Sequence, residues 1–240
     1  MAIVSREISY SHGDLSLTGV LYRDDSAGAP AAGLLIIPGA GGLDDHVAGQ
    51  GARYAGLGYV VFTADMFGPG VAGDRERTMA TIKELRADPD LLVARAVAGL
   101  GQLQAAPETT GPYAALGFCF GGQTVITMAR ANVEVAGVVS MHGSLSTSRP
   151  AAPDSVRVPV LVCHGADDPH VPIGDVVAFI EEMTKAGADW QLIAYGGAVH
   201  GFTHTHAVPG GNGVAYHEPT DRRSFTAATA FLAEVLGAGR

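Results

Sequence analysis

The chain contains few cysteines and few positively charged residues, and these two shortages exclude several classes of protein. Cys119 and Cys163 are the only cysteines among 240 residues, too few for a scaffold held together by disulfide bonds. The sequence has 15 Lys and Arg against 24 Asp and Glu, which gives a formal net charge of −9. Because a nucleic-acid-binding protein carries a basic surface to neutralise phosphates, we expect no nucleic-acid partner.

Long apolar runs and a leader pattern are also missing from the sequence. No stretch approaches the roughly 18 consecutive apolar residues of a membrane-spanning helix. The N-terminal segment lacks the basic region and apolar run of a secretory signal, so we expect a cytoplasmic protein with no membrane partner. Hydrophobic residues nevertheless make up 47% of the chain, which is enough for a folded core and excludes intrinsic disorder.

Short apolar segments alternate with helical patterns along the chain. Residues 3–10 and 15–22 alternate in polarity and predict an N-terminal antiparallel hairpin. Apolar runs typical of strands buried on both faces follow at 33–37, 59–64, 113–118, 135–141, 158–163 and 190–195. Helical patterns lie at 47–57, 77–103 (broken near Asp88-Pro89), 122–131, 173–186 and 221–236. The alternation predicts one α/β domain over residues 1–240, with a mostly parallel central sheet and helices on both faces.

Cys119 lies in the segment Gly117-Phe118-Cys119-Phe120-Gly121, between a predicted strand and a predicted helix. Glycines two residues before and after it permit the sharp turn of a G-x-S-x-G nucleophile elbow, with Cys in the place of Ser. The following helix N-terminus favours a thiolate, and the Phe120 amide is a candidate donor to an oxyanion. We therefore predict that Cys119 is a nucleophile; the alternative is a small buried cysteine in a glycine-rich turn.

A nucleophile of this kind needs an acid and a base, which follow it along the chain in that order. Asp167 and Asp168 come shortly after the strand predicted at 158–163. We predict that Asp168 is the acid and that Asp167 shapes the turn, although both aspartates could be turn formers. His200 lies in a glycine-bordered loop after the last predicted strand and is the predicted base.

The loop at residues 38–42, Pro-Gly-Ala-Gly-Gly, follows the strand predicted at 33–37. Its Ala40 amide is the predicted second oxyanion donor, with Gly39 as the next candidate. Phosphate binding is not indicated, because no Lys-Ser/Thr pair follows the glycines. Phe67, Phe118, Phe120 and Phe202 are candidates for the substrate pocket, or equally for the core.

His200, His204 and His206 form an H-x3-H-x-H pattern that could suggest a metal. The spacing fits no helix face, and no Cys or carboxylate motif completes a zinc set. We therefore expect neither a metal nor a cofactor.

Four segments together resemble the dienelactone hydrolase family of α/β-hydrolases: residues 39–47, the elbow at 117–122, residues 164–172 and residues 195–202. Residues 213–216 and Arg222-Arg223 are similar to the family as well, so the resemblance covers nearly the whole chain. It implies an α/β-hydrolase fold and a triad of Cys119, His200 and Asp168 that hydrolyses a small ester or lactone through a thioester, without a cofactor.

The sequence departs from this family pattern at two positions. Gly39 stands where the type enzyme has a glutamate that contacts the nucleophile, and His204 stands where it has an arginine that holds the substrate carboxylate. Both departures argue against dienelactone itself as the substrate. Arg75, Arg77 and Arg86 are alternative candidates for an anion site, although surface charge is the commoner explanation.

Two other functions fit parts of the sequence. The first is a non-catalytic ligand-binding module with the same fold, which would have no use for a nucleophile, a base and an acid together. The second is a thiol redox sensor, in which Cys163 would resolve an oxidised Cys119, although Cys163 lies in a predicted buried strand and no C-x-x-C is present. The chain is expected to be a monomer or a homodimer.

Overall fold

The computed structural model describes residues 2–26 and 30–237. The chain divides into two compact units, Met1–Ala115 and Leu116–Arg240. The single domain expected over residues 1–240 stays a prediction.

The first unit opens with the predicted hairpin. Strands β1 (Ile3–His12) and β2 (Leu15–Asp24) pair antiparallel around a turn in which Gly13 has a φ of +59°, a conformation that glycine adopts without strain. Both strands extend two residues beyond the predicted segment. Strands β3 (Ala31–Ile37) and β4 (Val60–Thr63) pair parallel, and β4 also pairs antiparallel with β2, so the strand order is β1-β2-β4-β3.

Aspartate side chains start the three helices of the first unit. Asp44 caps α1 (Asp45–Ala55), and Asp74 caps α2 (Arg75–Ala87). Asp88 ends α2 and caps α3 (Pro89–Ala105) through the amides of Asp90 and Leu91. Proline suits the first helical position because an N–H at that position would have no partner within the helix, so nothing is lost when proline lacks it. The break predicted near Asp88-Pro89 is therefore confirmed.

The second unit continues the alternation of strands and helices. Strand β5 (Thr109–Phe118) crosses the boundary between the units and leads into α4 (Phe120–Arg130). The remaining elements are β6 (Val138–Met141), β7 (Val160–Gly165), α5 (Ile173–Lys185), β8 (Trp190–Tyr195) and α6 (Glu218–Leu236). Strands β6, β7 and β8 pair parallel in that order. The predicted α/β class with an antiparallel hairpin and mostly parallel strands is confirmed.

Strand β6 begins three residues later than predicted. The Val135 amide donates to the Val133 carbonyl at 2.7 Å, a three-residue turn that takes residues 135–137 out of the strand. The four residues of β6 are all buried, as expected for a strand covered on both faces. Helix α4 and helix α6 also begin earlier than predicted, at Phe120 and Glu218.

A buried ion pair joins α4 to α5. The Arg130 guanidinium donates to both carboxylate oxygens of Glu182 at 2.8 Å, and the two side chains are only 5% and 10% exposed. Arg130 also donates to the Leu145 carbonyl, and the Ala151 amide donates to Glu182. The pair therefore fixes both ends of segment 145–151.

Within residues 2–26 and 30–237, none of the helices has the length and apolar character needed to span a membrane.

Candidate active site

Cys119 occupies a strained turn between β5 and α4. Its φ is +54° and its ψ is −112°, a conformation that costs a non-glycine residue about 1–3 kcal/mol. The Cys119 amide donates to the Met141 carbonyl at 3.0 Å, and its carbonyl accepts from the Gln123 amide at 3.2 Å. A Cβ atom on Gly117 would overlap the backbone of Gly121, which explains why the elbow needs glycine there.

His200 lies in the loop that follows β8. Its amide donates to the Gly213 carbonyl at 3.2 Å, and its carbonyl accepts from the Ala215 amide at 3.1 Å. These two bonds make an isolated parallel bridge with Val214 and fix the backbone of His200. The imidazole Nε2 then lies 3.0 Å from the Cys119 sulfur, so the predicted base and the predicted nucleophile are in hydrogen-bonding contact.

Asp168 lies in the turn after β7, and its side chain is completely buried. Its Oδ2 lies 2.8 Å from His200 Nδ1, and its Oδ1 accepts from the His170 amide at 2.8 Å. The neighbouring Asp167 is exposed, and only its backbone amide is engaged, with the Ala198 carbonyl. The structure therefore brings Asp168, and not Asp167, to the imidazole.

The pKa of His200 is raised from 6.5 to about 10. Burial by itself lowers this pKa, but hydrogen bonds to Asp168 and Cys119 and the negative charges of both groups outweigh it. The raised pKa favours the protonated imidazole at neutral pH. An imidazolium 3.0 Å from the sulfur fits a thiolate–imidazolium pair.

The rings of two further histidines pack against the imidazole of His200. The rings of His142 and His170 have centroids 5.3 Å and 5.2 Å from that of His200, both in edge-on geometry. His170 lies only two residues after Asp168, too close to the predicted acid to fit the order in which the base follows the acid. Its ring nevertheless contacts His200, and its Nε2 lies 2.8 Å from the Asn212 carbonyl. Sequence reasoning missed His142, although the residue directly follows β6, where the carboxyl ends of parallel strands carry functional side chains.

The predicted pocket residues of the second unit differ in exposure. Phe118, Phe120 and Phe202 are fully buried, and Phe202 packs edge-on against His142 at 4.9 Å. His204 is half-buried, with its ring 5.7 Å from that of His142. Burial therefore favours a place in the hydrophobic core for the three phenylalanines. His204 lies beside His142, close to the predicted triad.

Three of the predicted oxyanion and pocket residues belong to the first unit. Gly39 and Ala40 lie in a tight turn closed by a bond from the Gly42 amide to the Gly39 carbonyl at 3.1 Å. Phe67 is buried, and its amide donates to Asp65. The oxyanion and pocket roles of these residues stay predictions.

Cys163 differs from Cys119 in its burial and in its contacts. It is fully buried in β7, 3.8 Å from the Tyr195 hydroxyl, and burial raises the pKa of its thiol to about 12. Among residues 2–26 and 30–237, no three His, Cys, Asp or Glu side chains are grouped so that they could hold a metal ion.

A cavity of about 300 Å³ lies next to the His200 loop. Its walls include Val199, which precedes His200, and Val214, its bridge partner. The other lining residues are Gly197, Pro209, Gly210, Gly213, Ala215, Tyr216 and His217. Among the residues that the structure describes, this lining contains no Lys, Arg, Asp or Glu; it includes His217, but not Cys119, His200 or Asp168.

Comparison with known proteins identifies a family and several similar structures. A family model described as the dienelactone hydrolase family matches residues 17–236. A solved structure called m3DLH is 37% identical, with a TM-score of 0.91 over 98% of this chain and 100% of the other. A dienelactone hydrolase-like promiscuous phosphotriesterase from metagenomic libraries is 34% identical, with a TM-score of 0.90 over 98% and 100%. A dienelactone hydrolase from Anabaena variabilis shares the fold, at 18% identity and a TM-score of 0.64 over 98% and 99%. No curated protein matches the chain.

Proposed function

The chain belongs to the dienelactone hydrolase family, and we propose that it hydrolyses a small ester or lactone through Cys119, His200 and Asp168, without a cofactor. One observation carries this proposal. The sulfur, the imidazole and the carboxylate form a continuous line of contacts, at 3.0 Å from Cys119 to His200 and 2.8 Å from His200 to Asp168. This is the order of contacts that nucleophilic catalysis requires.

The first half of the reaction forms a thioester. The Cys119 thiolate attacks the carbonyl carbon, a C–S bond forms, and the carbonyl π electrons move to the oxygen. The Phe120 amide, in the first turn of α4, and the Ala40 amide are the proposed donors to this oxyanion; removing one such donor costs about 3 kcal/mol of barrier. The C–O bond then breaks, and the leaving oxygen takes the proton from His200 Nε2.

The second half of the reaction hydrolyses the thioester and releases the carboxylic acid product. His200 removes a proton from a water molecule, and the resulting hydroxide attacks the thioester carbon. The C–S bond breaks, so that the thiolate and the imidazolium are restored. Asp168 accepts a hydrogen bond from the Nδ1–H of His200 throughout, without taking the proton, and this bond keeps Nε2 directed at the reacting atoms.

The cavity next to the His200 loop supports an uncharged substrate group, because the described residues that line it include no Lys, Arg, Asp or Glu. His204, at the position of the family's carboxylate-binding arginine, supports the same preference. We therefore propose that neutral esters or lactones are better substrates than carboxylate-bearing ones.

Phosphotriester hydrolysis is a second candidate activity. The supporting observation is the 34% identity and the TM-score of 0.90 to the promiscuous phosphotriesterase. In that reaction the Cys119 thiolate would attack phosphorus, expel an aryl oxide protonated by His200, and leave a phosphorothioester for water to cleave.

One assay panel tests these activities. The purified protein and its Cys119→Ala variant are given small aryl esters, lactones with and without a carboxylate, and an aryl dialkyl phosphate. We expect the variant to lose about a thousandfold or more in kcat, and intact-mass analysis of quenched wild-type reactions to detect an acyl adduct on Cys119. Undiminished turnover by folded Cys119→Ala would exclude the proposed nucleophile, and no hydrolysis of any ester or lactone by the wild type would favour the ligand-binding module.

The substrate is a small molecule in this proposal, and a cytoplasmic location with a monomeric or homodimeric state belongs to the same proposal. Light scattering after size-exclusion chromatography measures the oligomeric state. A species larger than a dimer would contradict that part.

A further inference from the structure

The backbone of His142 is held in a strained conformation beside the nucleophile. His142 directly follows β6, and its φ is +41°, in the left-handed region that residues other than glycine rarely adopt. Its amide donates to the Cys163 carbonyl at 2.9 Å, and the carbonyl of the preceding Met141 accepts from the Cys119 amide at 3.0 Å. Strain of this kind persists only where the surroundings enforce it, and it is concentrated at functional sites.

The side chain of His142 is tied to the loop that carries the base. Its Nε2 lies 2.8 Å from the Thr203 hydroxyl, and both residues are buried. Thr203 comes three residues after His200 in the same loop. The bond therefore links the end of β6 to the His200 loop, independently of the bridge between His200 and Val214.

The ring of His142 also contacts the reacting imidazole directly. Its centroid is 5.3 Å from that of His200, with an angle of 66° between the planes, and Phe202 packs edge-on against it at 4.9 Å. Edge-on contacts between such rings have a preferred geometry and resist reorientation. Because His142 is itself fixed by Thr203 and Phe202, it limits the tilt of the His200 ring.

We propose that His142 is a positioning residue that holds the His200 imidazole in line between Cys119 and Asp168. The inference rests on the reaction proposed above, in which one atom, His200 Nε2, must face the sulfur, the leaving oxygen and water in turn. Asp168 contacts Nδ1 alone, and this single contact does not by itself stop the ring from pivoting about it. A displacement of about 1 Å at a reacting group can cost about a hundredfold in rate, so a second support for the ring has a measurable effect.

The hydrogen bond between His142 and Thr203 can be removed by changing either partner. Thr203→Val leaves both rings in place and removes the hydroxyl, and His142→Phe keeps an aromatic ring and removes Nε2. We expect each to lower kcat about 10- to 100-fold and to change KM less than about threefold. The double variant should be no slower than the slower single variant, because both changes remove the same bond.

Two matched variants control for a merely structural effect. Thr203→Ser retains the hydroxyl and should keep kcat within about threefold of the wild type. Thr229→Val makes the same chemical change at a hydroxyl that bonds only within α6, to the Phe225 carbonyl, and should leave kcat unchanged. Thermal unfolding of every variant separates lost stability from lost positioning.

Alkylation of Cys119 by iodoacetamide gives a readout that needs no substrate. Because His200 stabilises the thiolate, a displaced imidazole should slow alkylation of Cys119 at pH 7 in Thr203→Val and His142→Phe, and not in Thr229→Val. Wild-type kcat and wild-type alkylation rates in folded Thr203→Val and His142→Phe would overturn the inference, as would an effect on unfolding alone. Turnover by Cys119→Ala would instead overturn the proposed function, and alkylation would still test the support that His142 gives to His200.

Discussion

The Oδ2 atom of Asp168 lies 2.8 Å from the Nδ1 atom of His200, on a carboxylate side chain that is completely buried. The adjacent Asp167 is exposed and does not share this contact. Two neighbouring aspartates of the same chemistry therefore have different environments, and the difference can be measured.

Asp168→Asn should lower kcat about 10³- to 10⁴-fold. An asparagine amide can donate to Nδ1, which favours the tautomer that carries its proton on the wrong nitrogen, and the comparable change in a serine protease has an effect of about 10⁴-fold. Steady-state kinetics on the best ester of the panel provide the measurement. Asp167→Asn is the matched control and should stay within about twofold; equal losses in both variants would contradict the assignment of Asp168.

The two cysteines should react at very different rates. Since burial raises the pKa of Cys163 to about 12, only about 10⁻⁵ of that thiol is ionised at pH 7. Cys119 is partly exposed and lies 3.0 Å from the protonated His200. One equivalent of iodoacetamide should therefore modify Cys119 alone, as located by peptide mass analysis.

Peroxide treatment extends the same experiment. A disulfide between Cys119 and Cys163, detected by mass analysis, would support the redox sensor and contradict the inert state expected of Cys163. Its absence, together with selective alkylation of Cys119, would favour the hydrolase.

The raised pKa of His200 predicts a loss of stability at alkaline pH. The pKa is 6.5 for an ordinary histidine and about 10 in the folded protein. The folded state therefore holds a proton that the unfolded chain releases, and this contribution to the free energy of unfolding is complete below pH 6.5 and is lost as pH rises through about 10. Denaturant titrations at pH 8 and pH 10.5 should show a larger fall for the wild type than for His200→Gln. Equal falls would show that the imidazole of His200 does not carry the raised pKa.

Gly117→Ala should destabilise the protein by at least about 2 kcal/mol, as expected for overpacking against a rigid backbone. The added Cβ would overlap the backbone of Gly121, which lies in the first turn of α4, two residues after Cys119. Gly174→Ala in α5 is the matched control, since an added Cβ meets no atom within 4 Å there and alanine is the better helix former. Denaturant unfolding measures both, and a Gly117→Ala variant as stable as the wild type would contradict the packing of the elbow.

Local chemistry made much of the fold and site predictable from sequence. The glycines around Cys119 and the Asp88-Pro89 helix boundary act through the nearest residues of the chain, so their pattern is visible in the sequence. The turn at Val135 depends on one backbone bond that hydropathy does not reveal. The sequence favours Asp168 over Asp167 as the acid, but the difference in their surroundings, a buried carboxylate in contact with His200 against an exposed one, is visible only in the structure.

His142 illustrates a different limit. It is a single histidine after a four-residue strand, and its relation to His200 and Thr203 depends on how distant segments pack. Functional residues commonly follow the carboxyl ends of parallel strands, and this rule predicts that the position of His142 is important. The rule does not predict which residues His142 contacts. Ala40, Gly39 and Phe67 stay predictions, since local sequence pattern alone suggested their roles.

Segment 145–151 is secured at both ends by side chains that lie outside it, Arg130 at the Leu145 carbonyl and Glu182 at the Ala151 amide. The segment between these two anchors is consequently suited to loop exchange, because the side chains that hold its ends are not part of it. A transplanted loop of equal span would keep the same two attachment points, so new surface chemistry could be introduced there while the anchoring ion pair stays intact.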